Sequence, residues 1–227
     1  MSTYETSAYV LRPHQKRSRE ALRKIVAAAE QLLRTEGYDG FSMAAIADTS
    51  GLPVGNIYRR FNGKAELLQA VKENVTARIE DRVEGRISNG AFSDAELLVR
   101  AFIAALVETF TSDETVHRIL FDDRVRSPVM EEIGNSGRRR IFKVFKDALL
   151  PHLTHVDAAR AEMLARIAFH IIASAVVGKA SGRDPTFENL SWPVLEAEVS
   201  IATITYLRHA PAVMSSAGQR SPRRSKR

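Results

Sequence analysis

Residues 42–61 read SMAAIADTSGLPVGNIYRRF. Ser42 is suited to cap a helix N-terminus, the run from Met43 to Ser50 makes a short helix, and Gly51 stops it. Pro53 then opens a second short helix reaching about Phe61, since the N–H that proline lacks would find no partner in a first turn. Two short helices joined through a glycine turn are the layout of a helix-turn-helix. Ala47 is small enough for two helix axes to cross closely, and four residues on Gly51 can take positive φ without a Cβ penalty. Ile46, Leu52 and Ile57 supply apolar contacts beneath the turn. The second helix offers Asn56, Tyr58, Arg59 and Arg60, and Gly55 permits close backbone approach. Such a set can read base edges and grip phosphates in a major groove. Helix pairs with Ala and Gly at these spacings also arise by chance in helical proteins, so the flanking sequence has to decide.

On the N-terminal side, Leu22, Ile25, Ala29, Leu32 and Leu33 recur at helical spacing and predict a helix over 17–36. Gly37 is its expected left-handed terminator, and 38–40 its turn. This helix covers the apolar side of the pair, making a three-helix unit. On the C-terminal side a helix of about six turns starts near Gly63 and runs to Ser88, with Glu66 at a position where its charge favours the helix N-terminus. Helical patterns then cover about 93–111, 113–124, 128–150, 155–180 and 191–208. No segment has strand-like alternation, so the fold class is all-α. Residues 1–16 lack periodicity and read as an arm. Residues 211–227 are polar, basic and proline-containing and read as a disordered tail.

The chain has 227 residues, 33 Lys/Arg against 27 Asp/Glu, and no cysteine. Disulfides, thiolate metal sites and thiol nucleophiles are thereby excluded. Residues 1–64 carry 10 basic and 6 acidic side chains, 65–210 carry 18 and 21, and 211–227 carry 5 and none. Positive charge at both ends suits contact with a polyanion, either nucleic acid or an anionic membrane surface. No signal-like apolar run opens the chain and no stretch approaches the roughly 20 apolar residues of a membrane span, so a cytoplasmic location without membrane contact is expected. Glycine-rich phosphate loops, HExxH and carboxylate-histidine metal spacings are missing. No catalytic residue, metal or cofactor is expected, and a helical enzyme has nothing in the sequence to support it.

With the flanks included, the N-terminal 70 or so residues resemble the DNA-binding domain of the TetR/AcrR family of regulators. The shared features are the apolar helix Ile25 to Leu33 ending in Glu36-Gly37-Tyr38, then Phe41-Ser42, Ile46-Ala47, Gly51, Gly55-Asn56-Ile57-Tyr58, Phe61, Lys64 and Leu67. The resemblance implies that Tyr58 and Lys64 contact phosphates, with backbone N–H groups added at the helix start by Ser42. It makes Val54, Gly55, Asn56 and Arg59 candidates for base contacts, and Arg60 a candidate for bases or backbone. Pro53 and Gly63 depart from the hydroxyl residues common at their positions. Because Pro53 and Val54, a proline and an apolar residue, open the recognition helix, the readout is expected to lean on thymine methyl groups.

The resemblance also implies a second domain of about six helices with an effector pocket, and a homodimer joined through helices near 155–180 and 191–208. The division expected is an arm (1–16), a helix-turn-helix domain (17–66), an effector-binding and dimerisation domain (67–210) and a tail (211–227). Phe102, His117, Phe121, Phe145 and His170 are the candidate effector contacts, against the simpler reading of these side chains as core or interface. The expected function is a repressor released from palindromic double-stranded DNA by a small molecule. The alternative is an architectural or nucleoid DNA-binding protein with no effector.

Overall fold

The computed structural model describes residues 13–209; the expected tail and the first twelve residues of the expected arm lie outside them. The described residues form nine α-helices and no strand: α1 Pro13–Gly40, α2 Met43–Ser50, α3 Val54–Tyr58, α4 Lys64–Ser88, α5 Ala95–Ser112, α6 Glu114–Phe121, α7 Pro128–Leu149, α8 Ala158–Ser181 and α9 Trp192–His209. Helix α1 begins four residues before the expected start at residue 17 and is kinked at Gly37, where φ is 68°. Its final turn, 38–40, is helical again rather than a simple turn. Helix α3 is shorter than the expected 53–61 span. Pro53, at φ −53° and ψ 137°, is its N-cap, and Arg59 and Arg60 lie in the turn that follows.

Side-chain caps set several helix starts. Ser42 Oγ accepts the Ala45 N–H at 3.2 Å, Asp94 Oδ1 that of Leu97 at 2.9 Å, Ser127 Oγ that of Met130 at 3.2 Å, and Asp157 Oδ1 that of Arg160 at 2.8 Å. Each satisfies an N–H with no partner inside its helix, worth about 1 kcal/mol. Gly51 closes α2 in the left-handed region, with φ 66° and ψ 23°. At α4, Glu66 reaches back to accept both the backbone N–H of Asn62, at 2.9 Å, and its side-chain amide, at 2.7 Å.

The apolar residues divide between two cores. One gathers Ile25, Ala29 and Leu33 of α1, Phe41, Ile46, Ile57 and Phe61 around the turn, and Leu67 and Val71 of α4. Burying a side chain of this size contributes about 1.5–3 kcal/mol, so a handful suffices for a three-helix unit. This core does not stop at the unit, because Val116 and Leu120 of α6 and Met130 of α7 belong to it. The second core fills the space between α5, α7, α8 and α9, around Phe102, Phe145, Leu164 and Ile172. Helix α4 packs on α1, α5 and α7 and so touches both.

Among the described residues, α8 is the one helix long and apolar enough to cross a membrane by length and composition, which the sequence reading did not anticipate. Its apolarity has two destinations. Leu164, Ala168, Ile172 and Val176 enter the second core, whereas Met163 and Ile167 remain 48% and 37% exposed on the opposite side.

Candidate nucleic-acid interface and internal cavity

Five residues of helix are enough to create two faces. Ile57 is fully buried and Phe61 nearly so, which turns Val54, Gly55, Tyr58 and Arg59 outward together, one helical turn apart in pairs. Val54 is 44% and Tyr58 56% exposed. Asn56 is half-buried at the edge of this face. A convex helix showing a methyl-bearing side chain, a phenol and a guanidinium has the shape and chemistry to enter a major groove.

The remaining candidates for that face have work inside the protein. Arg60 donates from Nη1 to the Asn56 carbonyl at 3.0 Å and from Nη2 to Ser18 Oγ at 3.3 Å, tying the end of α3 to the start of α1. That contact sets exposed Arg17 and Arg19 next to the α3 end of the unit. Lys64 Nζ donates to the Tyr38 carbonyl at 2.7 Å and sits 3.6 Å from the centre of the Tyr38 ring. Burial pushes this ammonium below its usual range; Asp39 pulls it back and Arg124 lowers it further. In this structure Lys64 therefore braces the turn after Gly37 instead of extending outward. Ser42 is exposed and its hydroxyl serves as the α2 cap.

Between α4 and α8 lies a cavity of about 500 Å³, within the roughly 300–1,000 Å³ typical of small-molecule sites. Its apolar wall includes Leu106 and Phe110 of α5, Leu120 and Phe121 of α6, and Phe169 and Val176 of α8. Lys72, Thr76, His117, Arg126, Glu131 and Arg138 supply polar groups. The wall opposite α8 is formed where α4 crosses α7. A Cβ built on Gly137 would stand 2.3 Å from Thr76 Cγ2, so only glycine lets α7 seat this closely on the Thr76 side chain.

Of the five expected effector contacts, the structure brings His117 and Phe121 to this wall. Phe102 and Phe145 are fully buried one layer behind it, stacked 4.5 Å apart, each 6.1 Å from the cavity-lining Phe169. His170 points the other way. It is exposed on the outer side of α8, with Nε2 3.5 Å from Ser174 Oγ, because one residue of helix turns it about 100° from Phe169. His117 is buried, with its ring 4.7 Å from that of Phe110. Burial lowers its pKa, against opposing contributions from the Thr109 backbone and Asp113.

Lys72 and Arg138 were not anticipated. Lys72 lies between Val71 and Val75 on the flank of the α4 apolar stripe, and that flanking position is the signal from which it was recoverable. Two glycines inside α7, Gly134 and Gly137, similarly marked a close crossing.

A polar junction joins the two cores. Glu30 of α1, 8% exposed, takes two bonds from Arg78 of α4, at 2.8 and 2.5 Å, and one from Arg34 at 3.3 Å. Arg34 also pairs with Asp113, the residue before α6, whose carboxylate raises the Arg34 pKa. Helices α1, α4 and α6 are thus tied at one point, and His117 lies one turn from it.

The family described as bacterial regulatory proteins, tetR family, matches residues 25–71, and the tetracyclin repressor-like C-terminal domain matches residues 94–207. The chain is 39% identical over 59 residues to the DNA-binding transcriptional repressor TetR of Mycobacteroides abscessus. That match covers 26% of this chain and 31% of the relative's length. Among solved structures, a TetR-family transcriptional regulator from Mesorhizobium loti superposes with a TM-score of 0.66 at 21% identity, covering 85% of this chain and 97% of that one. The regulator FadR of Bacillus subtilis, solved with stearoyl-CoA, gives 0.58 at 16% identity over 81% and 97%.

Proposed function

This chain belongs to the tetR family of bacterial regulatory proteins and is a DNA-binding transcriptional regulator; from that premise we propose that it is a homodimeric repressor released from its operator by a small molecule. Residues 17–66 are the DNA-binding unit in this reading, and 67–210 the effector-binding and dimerisation domain. The exposed face of α3 enters the major groove. Val54, Gly55, Asn56 and Arg59 read bases, and Tyr58 grips a phosphate with the help of the α2 start at Ser42. Arg60 and Lys64 hold the unit in shape, and their phosphate contacts require them to leave the partners they have here.

The observation that carries the proposal is the sharing of helices between the two sites. Helix α4 places Leu67 and Val71 in the core under α3, and Lys72, Thr76 and Ile79 on the cavity wall. Helix α6 does the same with Val116 on one side and Phe121 on the other. A ligand in the cavity bears directly on elements that position α3, and a state of the dimer that it favours is selected in proportion to its differential affinity. An effector-independent architectural protein has no use for such a cavity.

The dimer is proposed to form through the outer faces of α8 and α9, where Met163, Ile167, Val194 and Ile201 are 37–52% exposed. These positions fall on single helical stripes, which suits a two-fold contact in which one patch meets its own copy. Two α3 helices would then enter successive grooves about 34–36 Å apart.

The test is selection of bound duplexes from a random pool, using the wild type and the double variant Tyr58→Phe, Arg59→Ala. One palindromic sequence enriched by the wild type, and bound at least about ten-fold more weakly by the variant, is expected. Enrichment of no sequence at moderate salt refutes the site-specific reading.

A further inference from the structure

We infer that the cavity between α4 and α8 takes an amphiphilic organic anion, its head on Lys72 and Arg138 and its apolar body on Phe110, Phe121 and Phe169. The inference rests on the reading of this cavity as the effector site, and it specifies the chemistry of the occupant.

The argument begins with which charges in the wall are already balanced. Glu131 accepts from Arg126 at 2.5 Å, and Asp122 takes Arg124 at 2.9 Å. Arg183 pairs with Asp123 at 2.8 Å and donates to the Phe121 carbonyl. Lys72 and Arg138 have no carboxylate within 4.0 Å among the described residues. Lys72 is the more telling of the two. It is only partly exposed, its ammonium lies 5.9 Å from the centre of the Phe121 ring, and it is about 3.8 Å from where a Cβ on Gly134 would stand. Arg138 follows Gly134 by one turn of α7, so the two cations approach the cavity from neighbouring helices at the same crossing.

A partly buried ammonium without a carboxylate in contact is costly, and burial accordingly depresses the Lys72 pKa, with nearby Glu131 opposing and Arg183 adding to the effect. A neutral apolar occupant would displace water from Lys72 and give nothing back. A cation would meet like charge from Lys72, Arg126 and Arg138. An anion with an apolar body answers both parts of the wall: its carboxylate or equivalent replaces the water around Lys72, and the ring faces of Phe110, Phe121 and Phe169 take the rest. His117, neutral because burial holds its pKa down, can add a hydrogen bond without adding charge.

Three ligands with one tail separate these cases: decanoate, decan-1-ol and decylammonium, each titrated into the full-length protein by isothermal calorimetry at pH 7.5. Decanoate is expected to bind at least about ten-fold more tightly than the alcohol, the advantage of one charge-assisted contact. Lys72→Met is expected to erase that preference, read as the ratio of decanoate to decan-1-ol affinity. Arg138→Gln, an exposed position where folding is not at stake, is expected to reduce the preference about three-fold. Equal or tighter binding of the alcohol or the ammonium overturns the inference, as does a decanoate preference that survives both substitutions. Binding of none of the three also overturns it. Titrating the selected operator duplex into the same preparations then reads the regulator proposal separately, since operator binding without any ligand response leaves that proposal standing.

Discussion

The α3 face is presented by twenty consecutive residues on a small core, whereas the cavity draws its wall from five helices spread between Lys72 and Arg183. At α3 the outward side chains contribute almost nothing to folding, because Ile57 and Phe61 hold the helix from behind. In the cavity the same residues that would touch a ligand also back onto the core. Phe169 lines the cavity and packs on Phe102, Phe142 and Phe145. If the two sites act as proposed, substitution on the α3 face would change DNA sequence preference at little structural cost, while substitution in the cavity wall would disturb stability.

Three substitutions probe that contrast. Phe102→Ala, one layer behind the cavity, should cost about 3–5 kcal/mol in chemical denaturation, whereas Phe121→Ala at the partly exposed wall should cost less than about 2 kcal/mol. Similar losses at both positions would mean that the cavity wall is as closely packed as the core. Arg59→Ala should remove about 1–3 kcal/mol of operator affinity and shift folding stability by no more than about 0.5 kcal/mol. A large change in melting temperature there would show that α3 is held by its outer face after all.

The smallest effect concerns His117. Its folded pKa lies below the ordinary 6.5 because burial disfavours the charged ring. As pH falls through the unfolded value, the unfolded chain takes up a proton that the folded chain refuses, so stability declines from about pH 7 downward. The Thr109 backbone, Asp113 and Glu30 oppose this and Arg78 reinforces it. His117→Gln should flatten the stability profile between pH 7.5 and 5.5. Parallel profiles for the two proteins would place the pH dependence elsewhere.

How much of this was legible in the sequence follows the same division. Order and spacing along one stretch revealed the helix-turn-helix, its buried Ile46 and Ile57, and the left-handed Gly51. The nine helices among the described residues were foreseen with ends displaced by a few residues: α1 runs four residues further at each end, and α3 is shorter because Pro53 caps it and its last turn unwinds at Arg59. What periodicity does not carry is the depth of a residue behind a helix face. Phe102, Phe121 and Phe145 obey one helical rhythm, yet one lines the cavity and two lie behind it. His170 followed the apolar run of α8 but fell on its outer side, since α8 is apolar on two sides. Lys64 had the family position for a phosphate contact, and only the folded chain shows its ammonium lodged on Tyr38.

The close approach at Gly137 and Thr76 has a mechanical meaning. Where a glycine backbone seats directly on one short side chain of the neighbouring helix, one helix can tilt on the other but has little room to slide. Thr76 therefore acts as a fulcrum for α4. From Thr76 to Lys64 is twelve residues, or about 18 Å of lever arm at 1.5 Å per residue, so a tilt of about 3° at the crossing moves the end beside the helix-turn-helix by about 1 Å. Lys72 and Ile79 lie on either side of that fulcrum, so under the proposed effector mechanism the position of an occupant along the cavity would set the direction of the swing as well as its size.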